Sequence, residues 1–270
     1  MTSVRRPFIP IASALADLRS FPHDVQDLRG QALLDAQYGD THPDAKALKG
    51  FGGSTVMEIV DDFDGDTYRA IYTVRLKSGV YLLHAFQKKS HRGIKTDQHD
   101  IDLIRRRLEG GDRRRRAPNE RGAISMNDEQ IEFVESSGNV FADLGLPNPE
   151  ERLAKAELAR EIRKIIADRE LTQAQAGAII GIAQPNVSDL LRGKLARFSI
   201  EKMMEYLTAL GRDVKIVVTE TAAPEEPGEI TVAVRSRTGR LRSIPSNPDG
   251  TLPADSMAAS GREERTRRRN

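Results

Sequence analysis

The chain has 270 residues, a formal net charge of +2 and no cysteine. This length accommodates two small domains with tails, and the absence of cysteine excludes disulfides and thiolate metal sites. No stretch has the length and unbroken apolar character of a signal peptide or membrane span, because Phe8–Ala16 is short and interrupted by Pro10; we expect a soluble, cytoplasmic protein with no metal and no cofactor.

Residues 1–112 have the pattern of a small domain that mixes helix and strand. Apolar spacing predicts a helix over Asp24–Tyr38. Alternating residues then predict two strands, Tyr68–Leu76 and Val80–Lys88, that form a β-hairpin, and a closing helix begins after Thr96 or Asp97. The prediction is an α+β domain with a small antiparallel sheet.

One face of the second strand carries candidate chemical groups. Residue parity places His84, Phe86 and Lys88 on the same face, so two proton or charge donors flank an aromatic ring. Lys89 follows at the start of a basic loop. Neither a zinc-ligand spacing nor a phosphate-binding glycine loop accompanies them.

A basic linker is predicted over residues 113–125, because this segment has too few apolar side chains to offset the entropy of ordering. Residues 126–148 form a mixed segment with Phe133, Val140 and Phe141. We expect this segment to dock on the first domain; the alternative is an additional helix of the second domain.

Helix signals then follow one another over residues 149–220. Asn148 is the predicted N-cap of a long helix that begins at Pro149, and Thr172 with Gln175 forms a capping box at the start of a second helix. Gly181 suits the sharp turn into a third helix. This arrangement predicts an all-α helix-turn-helix domain.

The third helix would lie in the major groove of DNA, with its N-terminal residues nearest the bases. Amide side chains can bond bidentately to adenine, whereas hydroxyl and cationic side chains suit base edges or phosphates. For each residue the alternative is plain solvent exposure. The candidate DNA-binding residues are Gln173, Gln184, Asn186, Ser188, Arg192 and Lys194.

Alternation over Asp213–Thr219 predicts a C-terminal strand, which could pair across the two-fold axis of a homodimer or with the first domain. Residues 221–270 are rich in proline, serine, glycine and arginine, and we expect a mostly disordered basic tail. Alternation over Glu229–Val234 before Thr238 and Gly239 indicates a short hairpin within it.

The stretch Leu171–Val218, which begins LTQAQAGAIIGIAQPNVSDLLRGK, resembles the XRE-type antitoxins of the HigA family. The resemblance extends upstream to SGNVFADLGLPNPEERLAKAELA, residues Ser137–Ala159. It implies an antitoxin that binds operator DNA and represses its own transcription.

The stretch Ala47–Ser90, which contains DDFDGDTYRAIYTV and YLLHAFQKKS, resembles the phage-derived HigB toxins of the RelE-like superfamily. The resemblance implies a metal-independent endoribonuclease that cleaves mRNA, often on the ribosome. Arg69 corresponds to the family's strand arginine, which would stabilise phosphate charge, and Lys88 and Lys89 to its paired lysines. His84 would act as acid or base, because imidazole titrates near neutral pH. The alternatives are solvated charge for the cations and a structural role for His84.

Together the two resemblances predict a toxin–antitoxin fusion in which the antitoxin inhibits the toxin within one chain. Joining them makes inhibition intramolecular, so the toxin would be silent until the linker is cut. The join could also reflect a merged reading frame. The alternative function is a DNA-binding repressor with an inactive toxin-like interaction domain.

Overall fold

The computed structural model describes residues 5–51, 55–74, 79–88, 97–116, 133–220, 230, 232–235 and 241–242. The basic loop that begins at Lys89, most of the predicted linker and nearly all of the predicted tail therefore lie outside the described residues. Among the described helices, none combines the length and apolar content that crossing a membrane requires.

A five-stranded sheet organises the N-terminal half, with strand order β1-β5-β4-β3-β2. Strands β3, β4 and β5 form an antiparallel meander, and β2 pairs antiparallel with β3. The edge strand β1 runs parallel to β5, so the sheet is mixed where the sequence predicted an antiparallel one. The strands are β1 (Phe8–Pro10), β2 (Ala45–Ala47), β3 (Val56–Phe63), β4 (Asp66–Thr73) and β5 (Val80–Lys88).

Helices cover both faces of this sheet. Helices α1 (Ala14–Arg19) and α2 (His23–Tyr38) pack on the face that carries Tyr68, Ala70 and Tyr72. Helix α3 (Gln98–Arg116) packs on the opposite face, where Ile104 joins Ile71 and Leu83 in a separate apolar cluster. The two faces of β4 therefore belong to different cores.

Five helices build the C-terminal half: α4 (Val140–Asp143), α5 (Pro149–Asp168), α6 (Gln173–Ile180), α7 (Gln184–Leu191) and α8 (Ile200–Ala209). Helix α5 packs on α8, α6 packs on α7, and their apolar faces enclose one core. The predicted capping box is present at Thr172 and Gln175, and Gly181 ends α6 with φ of +76°. Asn148 is the N-cap residue of α5, although its side chain makes no capping hydrogen bond.

Two segments differ from the sequence prediction. Helix α3 continues to Arg116, so the predicted linker does not begin at residue 113; the buried contact of Gly111 with the Tyr81 ring holds this end of the helix on the sheet. Residues 213–219 form no strand, because no strand of the described chain lies beside them. The short hairpin indicated in the tail is present as β6 (Val234–Arg235) and β7 (Leu241–Arg242).

The segment before α5 packs against the N-terminal half. Phe133 forms an isolated β-bridge with Ile11, and Val140, Leu144 and Leu146 are buried in the same apolar cluster as α1 and α2. The Phe141 ring lies over Gly30 of α2, where an added Cβ would fall 2.5 Å from the ring. Only glycine at position 30 allows this approach.

Helices α2 and α5 also contact each other across the two halves, and oppositely charged side chains pair along this contact. Arg163 donates two hydrogen bonds to the buried Asp35 carboxylate, at 2.6 and 3.2 Å. Arg160 binds Asp40 at 2.6 Å, and its guanidinium lies over the Tyr38 ring, 3.8 Å from the ring centroid. A further ion pair joins Arg152 of α5 to Asp27 of α2.

Glu157 is a buried acid within this contact. The Tyr38 hydroxyl donates to its carboxylate at 2.7 Å, yet burial dominates and raises the pKa of Glu157 from 4.5 to about 7. The folded chain thus holds this proton more tightly than the unfolded chain does. The stability contributed at this position is complete below about pH 4.5 and declines as the pH rises to about 7.

We expect Glu157→Gln to stabilise the chain at pH 8 by about 1–3 kcal/mol and to change little at pH 4, because the amide accepts the Tyr38 hydrogen bond without a buried charge. Urea unfolding at both pH values measures this difference. The matched control is Glu109→Gln, at an exposed position of α3. An equal gain at both pH values would contradict the expectation.

Candidate functional sites

The predicted catalytic residues that the structure describes lie on the sheet face that α3 covers. Arg69 is paired across the strands with Phe86, and Ile71 with His84, so these side chains share one face. Lys88 continues that face towards the end of β5. The structure therefore brings Arg69, His84 and Lys88 together; Lys89 lies outside the described residues.

Carboxylates accompany each of the three cationic or titratable groups. Arg69 is buried and donates to Glu58 of β3 at 3.0 Å, so much of its charge is already offset. Lys88 Nζ lies 3.4 Å from Asp97, just before α3. The sequence analysis did not identify Glu58, because its role arises only from the pairing of β3 with β4.

His84 forms a dyad with Asp100 of α3. The imidazole Nε2 lies 3.3 Å from the carboxylate, and the ring stacks on Phe86 with 4.9 Å between centroids. Nδ1 is buried and has no hydrogen-bond partner among the described residues. Burial lowers the pKa of His84, while the hydrogen bond and charge of Asp100 act in the opposite direction. At neutral pH the imidazole is therefore neutral and able to accept a proton.

We expect Asp100→Asn to lower the pKa of His84 further, since it removes the interactions that favour the imidazolium form. The shift is measured by following the ring protons of His84 by NMR across a pH titration. Asp102→Asn, at an exposed position on the same helix, should leave the titration unchanged. A rise in the pKa of His84 in Asp100→Asn would show that the dyad is misassigned.

The second candidate site is the helix-turn-helix formed by α6 and α7. Gly177 permits their close approach, because an added Cβ would fall 2.5 Å from the carbonyl oxygen of Ile182. Val187 and Leu190 are fully buried beneath α7 and fix its orientation. The opposite side of α7 is left for polar residues.

The predicted DNA-binding residues of α7 lie on that polar side. Two of them are held by side-chain hydrogen bonds. The Gln184 amide donates to Gln173, which links the N-terminal ends of α6 and α7. Asn186 accepts from Arg197 at 2.7 Å, and Arg197 also lies 3.3 Å from Asp189. Arg197 was missed by the sequence analysis, because it lies beyond α7 and reaches Asn186 only through the fold.

The remaining three residues differ in their surroundings. Ser188 is half-buried on α7, and Lys194 is exposed. Arg192, at the C-terminal end of α7, contacts the N-terminal half: its Nε lies 3.5 Å from Asp44. The ends of α7 thus differ, with an accessible N-terminal end and a C-terminal end beside the other domain.

Comparison with known proteins assigns each half separately. Residues 140–219 match a helix-turn-helix domain family, and residues 16–109 match the family of phage-derived Gp49-like proteins. A solved structure described as belonging to the XRE family of transcriptional regulators shares 39% sequence identity; the match covers 33% of this chain and 100% of that chain, with a TM-score of 0.31. A search of curated proteins found no significant match.

Proposed function

Because this chain belongs to the XRE family of helix-turn-helix regulators through its C-terminal domain and carries a Gp49-like phage-derived domain in front of it, we propose that it is a HigB–HigA-type toxin–antitoxin pair in one polypeptide. The C-terminal domain would repress transcription of its own gene and restrain an RNA-cleaving N-terminal domain. The observation that carries this proposal is the ion-paired contact of α5 with α2, which joins the two domains.

Operator recognition would begin at the N-terminal end of α7. Gln184 and Asn186 occupy the positions from which a recognition helix reads base edges, and their amides suit adenine. Their present hydrogen bonds, with Gln173 and Arg197, hold both amides in place before DNA arrives. Arg197 and the exposed Lys194 would add phosphate contacts.

Two copies would bind one operator. Residues 213–219 follow α8, and Ile216, Val217 and Val218 within them are 76%, 79% and 90% exposed. Such apolar, β-branched side chains favour strand pairing. Antiparallel pairing of this segment with its copy would place Ile216 and Val218 on one face beside the same residues of the copy, and would generate the two-fold symmetry of a palindromic site.

We expect Gln184→Ala and Asn186→Ala each to weaken binding to a duplex from the region upstream of the gene by about 1–3 kcal/mol, and to leave binding to random duplex unchanged. Lys194→Ala is the control, since losing a phosphate contact should weaken both duplexes alike. Fluorescence anisotropy measures affinity, and sedimentation should give two chains per duplex. Equal loss on both duplexes in the amide variants would refute base reading.

In the N-terminal domain the proposed reaction is attack of an RNA 2′-hydroxyl on the adjacent phosphorus, which forms a 2′,3′-cyclic phosphate and releases the 5′-oxygen, protonated by water. His84 would accept the hydroxyl proton at Nδ1, which the substrate would have to reach beneath α3, and Asp100 at Nε2 would stabilise the imidazolium that forms. Lys88 would stabilise charge on the phosphoryl oxygens. The substrate would be mRNA, either free or on the ribosome.

The C-terminal domain would inhibit RNA cleavage by the N-terminal domain through its bulk. Helix α5 contacts α2, whereas His84 and Arg69 lie on the opposite face of the sheet, beneath α3. Helix α5 therefore approaches the sheet from the side away from these residues. A docked domain would obstruct a large substrate such as ribosome-bound mRNA.

One observation favours the second candidate, a repressor with an inactive toxin-like domain. Arg69 is buried and paired with Glu58, and His84 is largely buried beside Asp100. A cation with a carboxylate partner stabilises phosphate charge less than one without. Under this candidate the N-terminal domain serves only as an interaction module.

Arg163→Ala separates the candidates, because it leaves the buried Asp35 carboxylate without its main cationic partner and should release the domain contact. We expect induced expression of the full chain with Arg163→Ala to arrest growth and to produce cleaved mRNA. Lys164→Ala, an exposed neighbour on α5, is the matched control and should have no effect. Adding Lys88→Ala to Arg163→Ala should restore growth.

Domain release is verified independently by small-angle X-ray scattering of the purified variant. Release without growth arrest or mRNA cleavage would leave the inactive-domain candidate. Arrest that persists with Lys88→Ala would place the toxicity outside the proposed site.

A further inference from the structure

The C-terminal end of the recognition helix is held by the N-terminal domain. The backbone carbonyl of Arg192 lies 3.2 Å from Nε2 of His42, and the Arg192 guanidinium lies 3.5 Å from the Asp44 carboxylate. Gly193 is buried against Gln31 of α2, where an added Cβ would fall 2.6 Å from the Gln31 side chain. We call His42, Asp44, Arg192 and Gly193 the clasp.

The hydrogen bonds of the clasp fix the state of His42. The backbone N–H of Asp44 donates to Nδ1 of the ring at 3.2 Å, so Nδ1 carries no proton and Nε2–H donates to the Arg192 carbonyl. Burial lowers the pKa of His42 to about 4, which keeps this tautomer at neutral pH. The donor offsets the partial negative charge at the end of α7. His42 is thus a positioning residue that keeps Arg192 beside Asp44.

We propose that Asp44 competes with DNA phosphate for Arg192, so that the docked N-terminal domain lowers the DNA affinity of the helix-turn-helix. This inference rests on the proposed DNA-binding function. The side chain of Arg192 is 53% exposed, so a phosphate can reach it, and a guanidinium binds carboxylate and phosphate in the same way.

The test uses the full chain and a fluorescent 30-base-pair duplex of random sequence, because a phosphate contact does not depend on sequence. Asp44→Asn should bind this duplex about two- to fivefold more tightly, the range expected for freeing one half of a partly exposed ion pair. Freeing Arg192 should also make the slope of the logarithm of the DNA-binding constant against the logarithm of the salt concentration steeper by about 0.9. This is the contribution of one added phosphate contact.

Asp102→Asn removes the same charge from the exposed surface of α3, on the other side of the sheet, and controls for net charge. Arg192→Ala and the double variant Asp44→Asn with Arg192→Ala complete the cycle. In the Arg192→Ala background, Asp44→Asn should no longer tighten binding or steepen the salt dependence.

Three results would overturn the inference. If Asp44→Asn and Asp102→Asn change the DNA affinity equally, the clasp does not affect DNA binding. A gain that persists without Arg192 would show general charge repulsion instead of competition. Failure of every variant, and of the unaltered chain, to bind any duplex would refute the proposed DNA-binding function itself.

Discussion

Helix α2 is buried on two sides, and this constraint governs how the two halves of the chain are joined. One side packs on the sheet, and the other faces α5 and the segment before it. Charged side chains on a helix in this position have little access to water, and Asp35 and Arg29 are almost completely buried. A buried charge is costly unless it is paired. Arg163 pairs with Asp35, and Arg29 donates to the Tyr68 carbonyl and lies 3.5 Å from Asp61.

Because α5 contacts α2, the residues that join the two domains lie apart from the candidate catalytic residues. Because α2 covers one face of the sheet, the C-terminal domain contacts the side away from His84 and Lys88. Residues that hold the domains together can therefore change without altering the candidate catalytic face. The loop that follows α2 carries His42 and Asp44 to the end of the recognition helix, so the same docking joins the N-terminal domain to the DNA-binding surface.

Much of the helix-turn-helix was predictable because its signals are local. The capping box at Thr172 is confirmed, as is the turn at Gly181. In the N-terminal half, the central hairpin and the helices on either side of it were also predicted from periodicity. Parity alone placed His84 and Lys88 on one face, but it could not show that Glu58 and Asp100 approach Arg69 and His84. Those carboxylates come from β3 and α3, and only strand pairing and helix packing bring them near.

The sequence by itself determined the features whose stabilising contacts lie within a few residues. These are the helix caps, the amphipathic faces of the helices and the alternation of the strands. Tertiary structure alone decided the parallel pairing of β1 with β5, the extension of α3 to Arg116, the pairing of Asp35 with Arg163 and the position of Arg192 beside Asp44. The partners in each pair are far apart along the chain, and their side chains have many possible partners of suitable charge or shape. Which of them meet depends on how the apolar faces of sheet and helices pack, and no local pattern in the sequence records that choice.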